Sequence, residues 1–200
     1  MKKEVALFGY SGHAYVVADV FISAGYHLLG YVERQELSNN PYHLEYLGFE
    51  CDSGFYQKYQ SVSFFPAIGD NKIRRKIMDQ CQNHGITMAT AISPKANISK
   101  ISSIQEGTLV CQGVCINPLT VIGCGVIINT GAIIEHECRI GDFAHISSGA
   151  VLGGNVIIGA GSLIGPNVVI KQGVVIGENV VINSGLLVKD NVPDNKILIV

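Results

Sequence analysis

Two histidines and the acidic residues around them carry the most reactive chemistry in this sequence. The segment IEHECRIGDFAHIS, residues 134–147, places His136 between Glu135 and Glu137, and His145 follows nine residues later. A carboxylate beside an imidazole raises the basicity of the ring and fixes its tautomer. We therefore interpret His136 as a candidate general base supported by Glu137, with a solvated surface histidine as the alternative on spacing alone.

The scaffold that carries this segment repeats every six residues. Every sixth residue from Ile98 to Val188 is Ile, Leu or Val, sixteen positions without an interruption. The fourth residue after each of these anchors is mostly compact, as at Ala132, Cys138 and Ala144, and glycine often follows the anchor directly. This pattern is typical of hexapeptide repeats in a parallel β-helix, in which three hexads form one triangular coil and residue n stacks on residue n+18.

The repeat register predicts where the reactive residues point. His136 and Glu137 occupy outward positions at a corner, whereas Cys138 fills an inward compact position and is not expected to be a nucleophile. His145 lies half a coil further along, so it can meet His136 only across an interface with another subunit. The flat faces of the coil favour a trimer, and we expect the active site between its subunits. A zinc site on the coil would need about three imidazoles, whereas the repeat contains only His136 and His145, so no metal is expected.

Strands and helices alternate before the repeat begins, which predicts a small parallel, Rossmann-like α/β domain. The expected strands are 5–9, 27–33, 62–69 and 86–92, the expected helices are 13–24 and 70–85, and 34–60 is irregular. We place the α/β domain at residues 1–92 and the β-helix at residues 93–200, with Pro94 in the passage between them.

A glycine-rich turn follows the first predicted strand and opens the first helix. The backbone N–H groups of FGYSGH, residues 8–13, suit an anionic group such as a phosphate, although a turn that binds nothing has the same pattern. The spacing of Gly9 and Gly12 is not the dinucleotide fingerprint, so NAD is not favoured. Glu33 ends the second strand, where an acidic side chain can reach a ribose or a base; an exposed loop carboxylate is the alternative.

Composition excludes several classes of function. The net charge is −2 and 15% of residues are charged, so the chain has no basic face for a nucleic acid. No apolar run reaches the ~18 residues typical of a membrane span, and the start MKKEVALFGYSGH lacks a small-residue cleavage site. The six cysteines form no CxxC pair, and we expect reduced thiols in a cytoplasmic protein.

Four segments together resemble one family: GYSGHAYVVAD, LLGYVE, AIGDNKIRRKI and IEHECRIGDFAHISSGAVLGGNVIIG. They are similar to the bacterial sugar acetyltransferases of the sialic acid O-acetyltransferase and UDP-4-amino-sugar (bacillosamine-type) N-acetyltransferase family. The resemblance covers nearly the whole chain, and its last segment is the most specific because many hexapeptide proteins lack it. It implies a nucleotide-sugar-binding α/β domain and a left-handed parallel β-helix, assembled as homotrimers that use acetyl-CoA.

The resemblance also implies roles for individual residues. His136 would deprotonate the sugar amine or hydroxyl, and Glu137 would raise its basicity. The residues implied to contact acetyl-CoA are His145, Pro166 and Ser184. The residues implied to bind the nucleotide sugar are Ser11, Gly12, His13, Glu33, Arg34 and Gly69. The family usually has a pair of acidic residues where this chain has Glu33 and Arg34, which leaves the nucleotide open.

A second departure concerns the C-terminal end. Family members continue past the last coil into a GVPA-type tail that helps to close the cofactor site, whereas this sequence reads KDNVPDNKILIV. Either the tail is dispensable or cofactor binding is weaker. We expect the apolar residues 197–200 to cover the open strand edge of the last coil.

The leading hypothesis is acetyl-CoA-dependent N-acetylation of the 4-amino group of a nucleotide-linked amino-dideoxy sugar, for surface glycan biosynthesis. O-acetylation of a sialic-acid-like sugar is the alternative within the same class. A different class is a non-catalytic trimeric module, in which the coils are a scaffold and only the α/β domain binds a sugar nucleotide.

Overall fold

The computed structural model describes residues 3–199, and its N-terminal part is an α/β domain around a four-stranded parallel sheet. The strand order is β3-β2-β1-β4. The elements are β1 (Glu4–Phe8), α1 (Gly12–Ser23), β2 (His27–Val32), β3 (Glu45–Tyr46), α2 (Phe55–Lys58), β4 (Ser63–Pro66) and α3 (Asn71–Asn83). The alternation of strands and helices is confirmed close to the expected bounds. The segment 34–60 additionally contains the short elements β3 and α2, which the sequence did not indicate.

The last strand expected in this domain belongs to the coil instead. Strand β5 (Ala91–Ile92) pairs with β8 (Leu109–Val110) of the β-helix, and Met88 makes only a single bridge to the α/β sheet. The prediction of a strand over 86–92 was therefore wrong in extent and in partner, because an apolar run does not specify the sheet it joins. The domain boundary after residue 92 stays a prediction.

The coil has three flat faces, each a parallel sheet of two-residue strands. The first face contains β5, β8, β11 (Ile127–Ile128), β14 (His145–Ile146), β17 (Leu163–Ile164), β20 (Val181–Ile182) and β22 (Ile197–Leu198). The second contains β6 (Asn97–Ile98), β9 (Cys115–Ile116), β12 (Ile133–Ile134), β15 (Val151–Leu152), β18 (Val169–Ile170) and β21 (Leu187–Val188). The third contains β7 (Ser103–Ile104), β10 (Val121–Ile122), β13 (Arg139–Ile140), β16 (Ile157–Ile158) and β19 (Val175–Ile176).

Stacking follows the register that the sequence predicted. His145 pairs with Leu163 and Ile133 pairs with Val151, each one coil apart. The second residue of each strand is the aliphatic anchor and points inward, and Ile146 and Leu152 are fully buried. Because each coil buries its anchors against the coils above and below, the interior is one continuous aliphatic stack.

Two kinds of turn position explain the glycines of the repeat. The glycine directly after an anchor is needed for close approach, because a Cβ on Gly141 would lie 2.6 Å from the backbone nitrogen of Ala160 in the next coil. The left-handed backbone occurs three residues after the anchor, as at Gly161 (φ 69°) and Asn179 (φ 52°). The glycine directly after an anchor is therefore required by the closeness of the next coil and not by its own backbone conformation.

Helix α3 packs the α/β domain against the corner between the third and first faces of the coil. The Asn71 side chain donates a hydrogen bond of 2.9 Å to the Gly161 carbonyl. Met78 packs so closely on Gly107 and Gly125 that a Cβ at either glycine would collide with it. The domains are therefore held together by tight contacts at a column of glycines.

The C-terminal strand extends the coil rather than capping it with its side chains. Strand β22 pairs with β20, as expected for a segment that covers an open strand edge, and Val200, the last residue of that segment, lies outside the described residues. However, Ile197 and Ile199 remain largely exposed. No helix between residues 3 and 199 is long and apolar enough to cross a membrane.

Candidate active site

His136 lies in the turn between β12 and β13, which we call the His136 corner. Its side chain is 49% exposed, and Nδ1 lies 3.0 Å from Oε2 of Glu137. When the Glu137 carboxylate accepts a hydrogen bond from Nδ1–H, the lone pair of Nε2 is left free to accept a proton from a substrate. The outward position of both residues is as expected from the register, and the pair has the geometry of a general base.

The backbone around this pair is fixed from both neighbouring coils. Glu137 donates its N–H to the Pro118 carbonyl at 3.0 Å, and the His136 carbonyl accepts a hydrogen bond of 2.8 Å from Asn155 N. Glu137 has φ 62° at a position that most hexads fill with Gly or Asn. A non-glycine residue in the left-handed region costs free energy and is often retained where its side chain serves a site.

A glycine of the next coil supports the imidazole ring. Gly154 follows the His136 position by one coil, and a Cβ there would lie 2.6 Å from both Cε1 and Nε2 of His136. The ring therefore lies against the bare backbone of Gly154. Gly154 was not among the predicted site residues; the signal that could have identified it is the doubled glycine in LGGN, one coil after the histidine.

A cleft of about 440 Å³ opens at the carboxyl ends of β1, β2 and β4. Open α/β sheets bind ligands in this position. The cleft contains four of the residues implied to bind the nucleotide sugar, together with Lys76 of α3: Ser11, Glu33, Arg34 and Gly69. Ser11 precedes α1, and its hydroxyl makes no capping hydrogen bond to the helix, so it can serve a ligand instead.

Glu33 holds the glycine-rich turn in place. Its Oε1 accepts a hydrogen bond of 3.0 Å from the backbone N–H of Tyr10. The carboxylate is therefore more than an exposed loop group, and one of its two oxygens is already used by a hydrogen bond within the protein. Its contact fixes the turn that forms the floor of the cleft.

Gly12 and His13 do not line this cleft. The ring of His13 instead faces the coil, with its centroid 6.4 Å from the centroid of His145. Nε2 of His13 is buried and has no hydrogen-bond partner within residues 3–199. The structure therefore brings His13 together with a residue implied to contact acetyl-CoA rather than with the residues that line the cleft of the α/β domain.

His145 lines a groove of about 640 Å³ between the α/β domain and the first face. Gly69, Asn71 and Lys72 line the side formed by the α/β domain, and Leu163 lies on the coil. Asn129, which the sequence analysis did not identify, places its side-chain nitrogen 3.5 Å from Nε2 of His145. Gly69 lines both this groove and the cleft of the α/β domain, so the two spaces meet at this turn.

Burial keeps both imidazoles at this junction uncharged. It lowers the pKa of His13 from 6.5 to about 4, and the positive charge of Arg74 acts in the same direction. Burial likewise lowers the pKa of His145 to about 4, with Arg74 and His13 adding to the effect. At neutral pH both rings therefore serve as neutral hydrogen-bonding groups.

These depressed pKa values predict a loss of stability in mild acid. The unfolded chain binds more protons than the folded chain between pH 4 and pH 6.5, so stability falls as the pH drops through this range. Denaturant unfolding at pH 7 and pH 5 should show a loss of roughly 1–2 kcal/mol for each imidazole. A His13→Gln, His145→Gln double variant should lose that difference, whereas the exposed control His27→Gln should keep it. An identical pH dependence in wild type and double variant would contradict the prediction.

Pro166 and Ser184 stack on successive coils at the corner between the first and second faces. Both are exposed, and the Pro166 carbonyl accepts a hydrogen bond of 2.8 Å from Gly185 N. Both residues lie at the edge of the first face, which carries His145. Pro166 is one coil above His145, and Ser184 is two coils above it. His136 lies at a different corner, so within one chain the second face separates it from the residues implied to contact acetyl-CoA.

The potential metal ligands are dispersed within the described residues. Residues 3–199 contain no group of three or more His, Cys, Asp or Glu side chains that could hold a metal ion. The sulfur of Cys138 faces inward and donates to the Gly153 carbonyl at 3.2 Å, and burial raises the pKa of its thiol. The site therefore has the chemistry of an imidazole–carboxylate pair and not that of a thiolate nucleophile.

Comparison with protein families matches both parts of the chain. Residues 4–81 match the PglD N-terminal domain, and residues 119–154 and 155–190 match the bacterial transferase hexapeptide model. A GDP-perosamine N-acetyltransferase of Escherichia coli O157:H7 is 31% identical over 96 residues, which cover 48% of this chain and 42% of that protein. The chain thus matches less than half the length of the curated relatives.

Solved structures match almost the full chain. A perosamine N-acetyltransferase mutant from Caulobacter crescentus, in complex with CoA and GDP-perosamine, has a TM-score of 0.91 and 30% identity, covering 97% of this chain and 92% of that one. The acetyltransferase domain of PglB from Neisseria gonorrhoeae, in complex with acetyl coenzyme A, has a TM-score of 0.87 and 26% identity, covering 96% and 94%.

The α/β domain with its cleft, the β-helix with its outward imidazole–carboxylate pair and the two family matches together define a hexapeptide-repeat transferase. The predicted fold class, a Rossmann-like domain and a left-handed β-helix, is confirmed. The chain belongs to the bacterial sugar acetyltransferases of the hexapeptide superfamily.

Proposed function

We propose that this protein transfers the acetyl group of acetyl-CoA to the amino group of a nucleotide-linked amino sugar, with His136 as general base. The observation that carries the proposal is the pairing of His136 Nδ1 with Glu137 at 3.0 Å on an exposed corner, which leaves Nε2 free. The Caulobacter crescentus relative, crystallised with CoA and GDP-perosamine, supports both substrate classes.

The reaction needs placement and one proton acceptor. The amine nitrogen attacks the thioester carbonyl, the new C–N bond forms, and the C–S bond breaks to release CoA. Nε2 of His136 takes the amine proton and returns it to the departing thiolate, so no covalent enzyme intermediate is required. Holding both reactants supplies effective molarity, and the base contributes about 10²–10⁴-fold.

We assign the nucleotide to the cleft of the α/β domain. The free Ser11 hydroxyl, the N-terminus of α1 and the cations Arg34 and Lys76 there suit a diphosphate. We assign acetyl-CoA to the groove and corner marked by His145, Pro166 and Ser184. Six free cysteines fit a reducing compartment, so we propose a cytoplasmic enzyme that supplies amino sugars for surface glycans.

A trimer would bring the two parts of this site together. The outward residues of the second face are apolar over five coils: Cys115, Ile133, Val151, Val169 and Leu187. If this face surrounds a threefold axis, the His136 corner of one subunit approaches the Pro166 corner of the next. We therefore propose a homotrimer with its active sites between subunits.

A matched pair of valines tests this arrangement. Val169 on the second face and Val175 on the third are 41% and 38% exposed and hold equivalent outward positions. Val169→Asp should dissociate the trimer and lower acetyl transfer by at least about tenfold, because an aspartate cannot be buried in an apolar interface without a partner. Val175→Asp should leave both unchanged. Light scattering decides the outcome, and a wild-type monomer at micromolar concentration would refute the trimer.

The function is tested by mass spectrometry of the products. Purified protein is incubated with acetyl-CoA and UDP- or GDP-linked 4-amino sugars, with sialic acid in a parallel reaction. We expect an acetylated product from one nucleotide amino sugar. Acetylated sialic acid alone would favour the O-acetyltransferase alternative. No product, together with no calorimetric binding of acetyl-CoA, would favour the non-catalytic module.

A further inference from the structure

Arg74 is a fully buried cation at the junction between the two domains. Its guanidinium donates hydrogen bonds to carbonyl and amide oxygens at 2.6–3.1 Å: Gly125 O, Phe143 O, Ile68 O, Gly69 O and Asn71 Oδ1. Two of these acceptors belong to successive coils, and the other three belong to the α/β domain. All three nitrogens of the guanidinium therefore donate hydrogen bonds, and the side chain connects the α/β domain to the coil.

The acceptors of Arg74 are all neutral. Asp70 is the N-cap of α3, and its Oδ1 accepts hydrogen bonds from the backbone N–H groups of Lys72 and Ile73 instead. Burial lowers the pKa of Arg74 to about 10, so the side chain still carries its charge at neutral pH. The carboxylate of Asp70 favours the charged form but makes no direct ion pair with the guanidinium, and a buried charge without a direct ion pair is costly. A leucine or methionine would be the ordinary residue on this helix face. The buried face of α3 otherwise consists of Ile77, Met78 and Cys81.

The turn that Arg74 holds is the one shared by the two ligand spaces. Nη1 donates to the carbonyls of Ile68 and Gly69, each at 3.1 Å. Gly69 lines the nucleotide cleft on one side and the groove of His145 on the other. Because the same guanidinium binds Gly125 and Phe143 of the coil, a shift of this turn relative to the coil would break several hydrogen bonds at once.

We propose that Arg74 is a positioning residue for acetyl transfer, which clamps the Gly69 turn onto the coil and so fixes the nucleotide sugar relative to the groove of His145. The proposal rests on the proposed function for its reaction, while the clamp itself is a property of the fold. Arginine suits this role because its rigid planar fork supplies five donors, whereas lysine supplies three from a single nitrogen.

The charge of Arg74 acts on the two imidazoles beside the turn. His13 faces the turn from α1, and a Cβ on Gly69 would lie 3.9 Å from its Cγ. His145 faces the turn from the coil, where its strand neighbours Ile127 and Leu163 are uncharged. The charged residues that line the groove beside His145 are Asp70, at the N-cap of α3, and Lys72. Arg74 thus favours the neutral form of both rings, in addition to the effect of burial.

The experiment compares Arg74→Gln and Arg74→Lys with the control Arg75→Gln. Arg75 is the next residue on α3, is exposed and lies 4.8 Å from the centroid of the Phe143 ring, so it also contacts the coil. NMR of selectively labelled histidine follows the titration of His13 and His145, and steady-state kinetics give kcat and KM well below the unfolding temperature of each variant.

We expect Arg74→Gln to raise the titration midpoints of both imidazoles and to lower kcat by about 10²-fold, with KM for the nucleotide sugar changed less than about threefold. Arg74→Lys should retain the low midpoints, because it keeps a positive charge, but should still lower kcat. Arg75→Gln should change neither. If Arg74→Gln does not fold, a lysine variant with wild-type kcat would overturn the proposal.

Other outcomes separate this proposal from the proposed function. Unchanged midpoints and a kcat within about threefold of the Arg75→Gln control would refute the clamp. If wild type forms no product, the proposed function fails by that result. The clamp is then judged by amide hydrogen exchange in the turn at residues 67–69, which Arg74 holds through the Ile68 and Gly69 carbonyls: faster exchange in Arg74→Gln than in Arg75→Gln supports it, and equal exchange refutes it.

Discussion

Replacement of His136 by alanine is expected to lower kcat by about 10²–10⁴-fold, the contribution of a general base. The reason is that Nε2 is the free nitrogen of a ring whose Nδ1 is held by Glu137 at 3.0 Å. Stability should change by less than about 0.5 kcal/mol, because the side chain is half exposed and fills no core position. Steady-state acetyl transfer and thermal unfolding of the same preparation measure the two effects separately.

A second imidazole–carboxylate pair provides the matched control. His27 Nδ1 lies 3.3 Å from Oε1 of Glu4, and both side chains are more than half exposed, on the α/β domain. His27→Ala should leave kcat unchanged. Glu137→Gln should lower kcat less than His136→Ala, because it removes the support of the base and not the base itself. Full activity in His136→Ala would exclude the general-base role and leave catalysis to placement alone.

The coil could be predicted from the sequence almost completely. Its period is fixed by the burial of one aliphatic residue in six, so the register from Ile98 to Val188 specifies which residues point inward and which residues stack. The outward position of His136 and its contact with Glu137 follow from that register and from their adjacency. The spacing of residues in the sequence was therefore sufficient to predict the part of the site that lies within one hexad.

The contacts between distant segments could not be predicted in the same way. The role of His13 in binding the nucleotide sugar stays a prediction, but the position of its ring beside His145 could not be predicted, because the packing of α1 on the coil decides its direction. Arg74 lies on the buried face of α3 with Ile77 and Met78. The position of Arg74 among apolar residues could have indicated that its side chain is buried. Its hydrogen-bond partners on the coil could not be predicted, because these carbonyls lie about 50 to 70 residues away in the sequence.

Coil stacking also creates contacts that only the register can reveal. Gly154 follows His136 by one coil, and the ring lies against its backbone. The backbone of Gly154 is not in the left-handed region, so alanine is allowed there conformationally. The requirement for glycine is consequently imposed by the histidine and not by the turn.

Gly154→Ala is expected to displace the imidazole of His136 and to lower kcat by about 10²-fold. The new methyl group would lie 2.6 Å from Cε1 and Nε2, where ordinary contact requires at least 3.4 Å, so the ring must move by about 1 Å. The ring is exposed and can move outward, so the fold should be preserved. Acetyl transfer, thermal unfolding and the histidine NMR signal of His136 measure the consequences.

A double-mutant cycle separates this steric effect from a general disturbance of the corner. In the His136→Ala background, the space taken by the ring is empty, so adding Gly154→Ala should cost no further activity and no stability. Equal, additive losses in both backgrounds would show that the methyl group disturbs the coil itself. The predicted loss of additivity would instead identify Gly154 as the residue that sets the direction of the catalytic nitrogen. The base would then depend on two successive coils, one that supplies the ring and one that supports it.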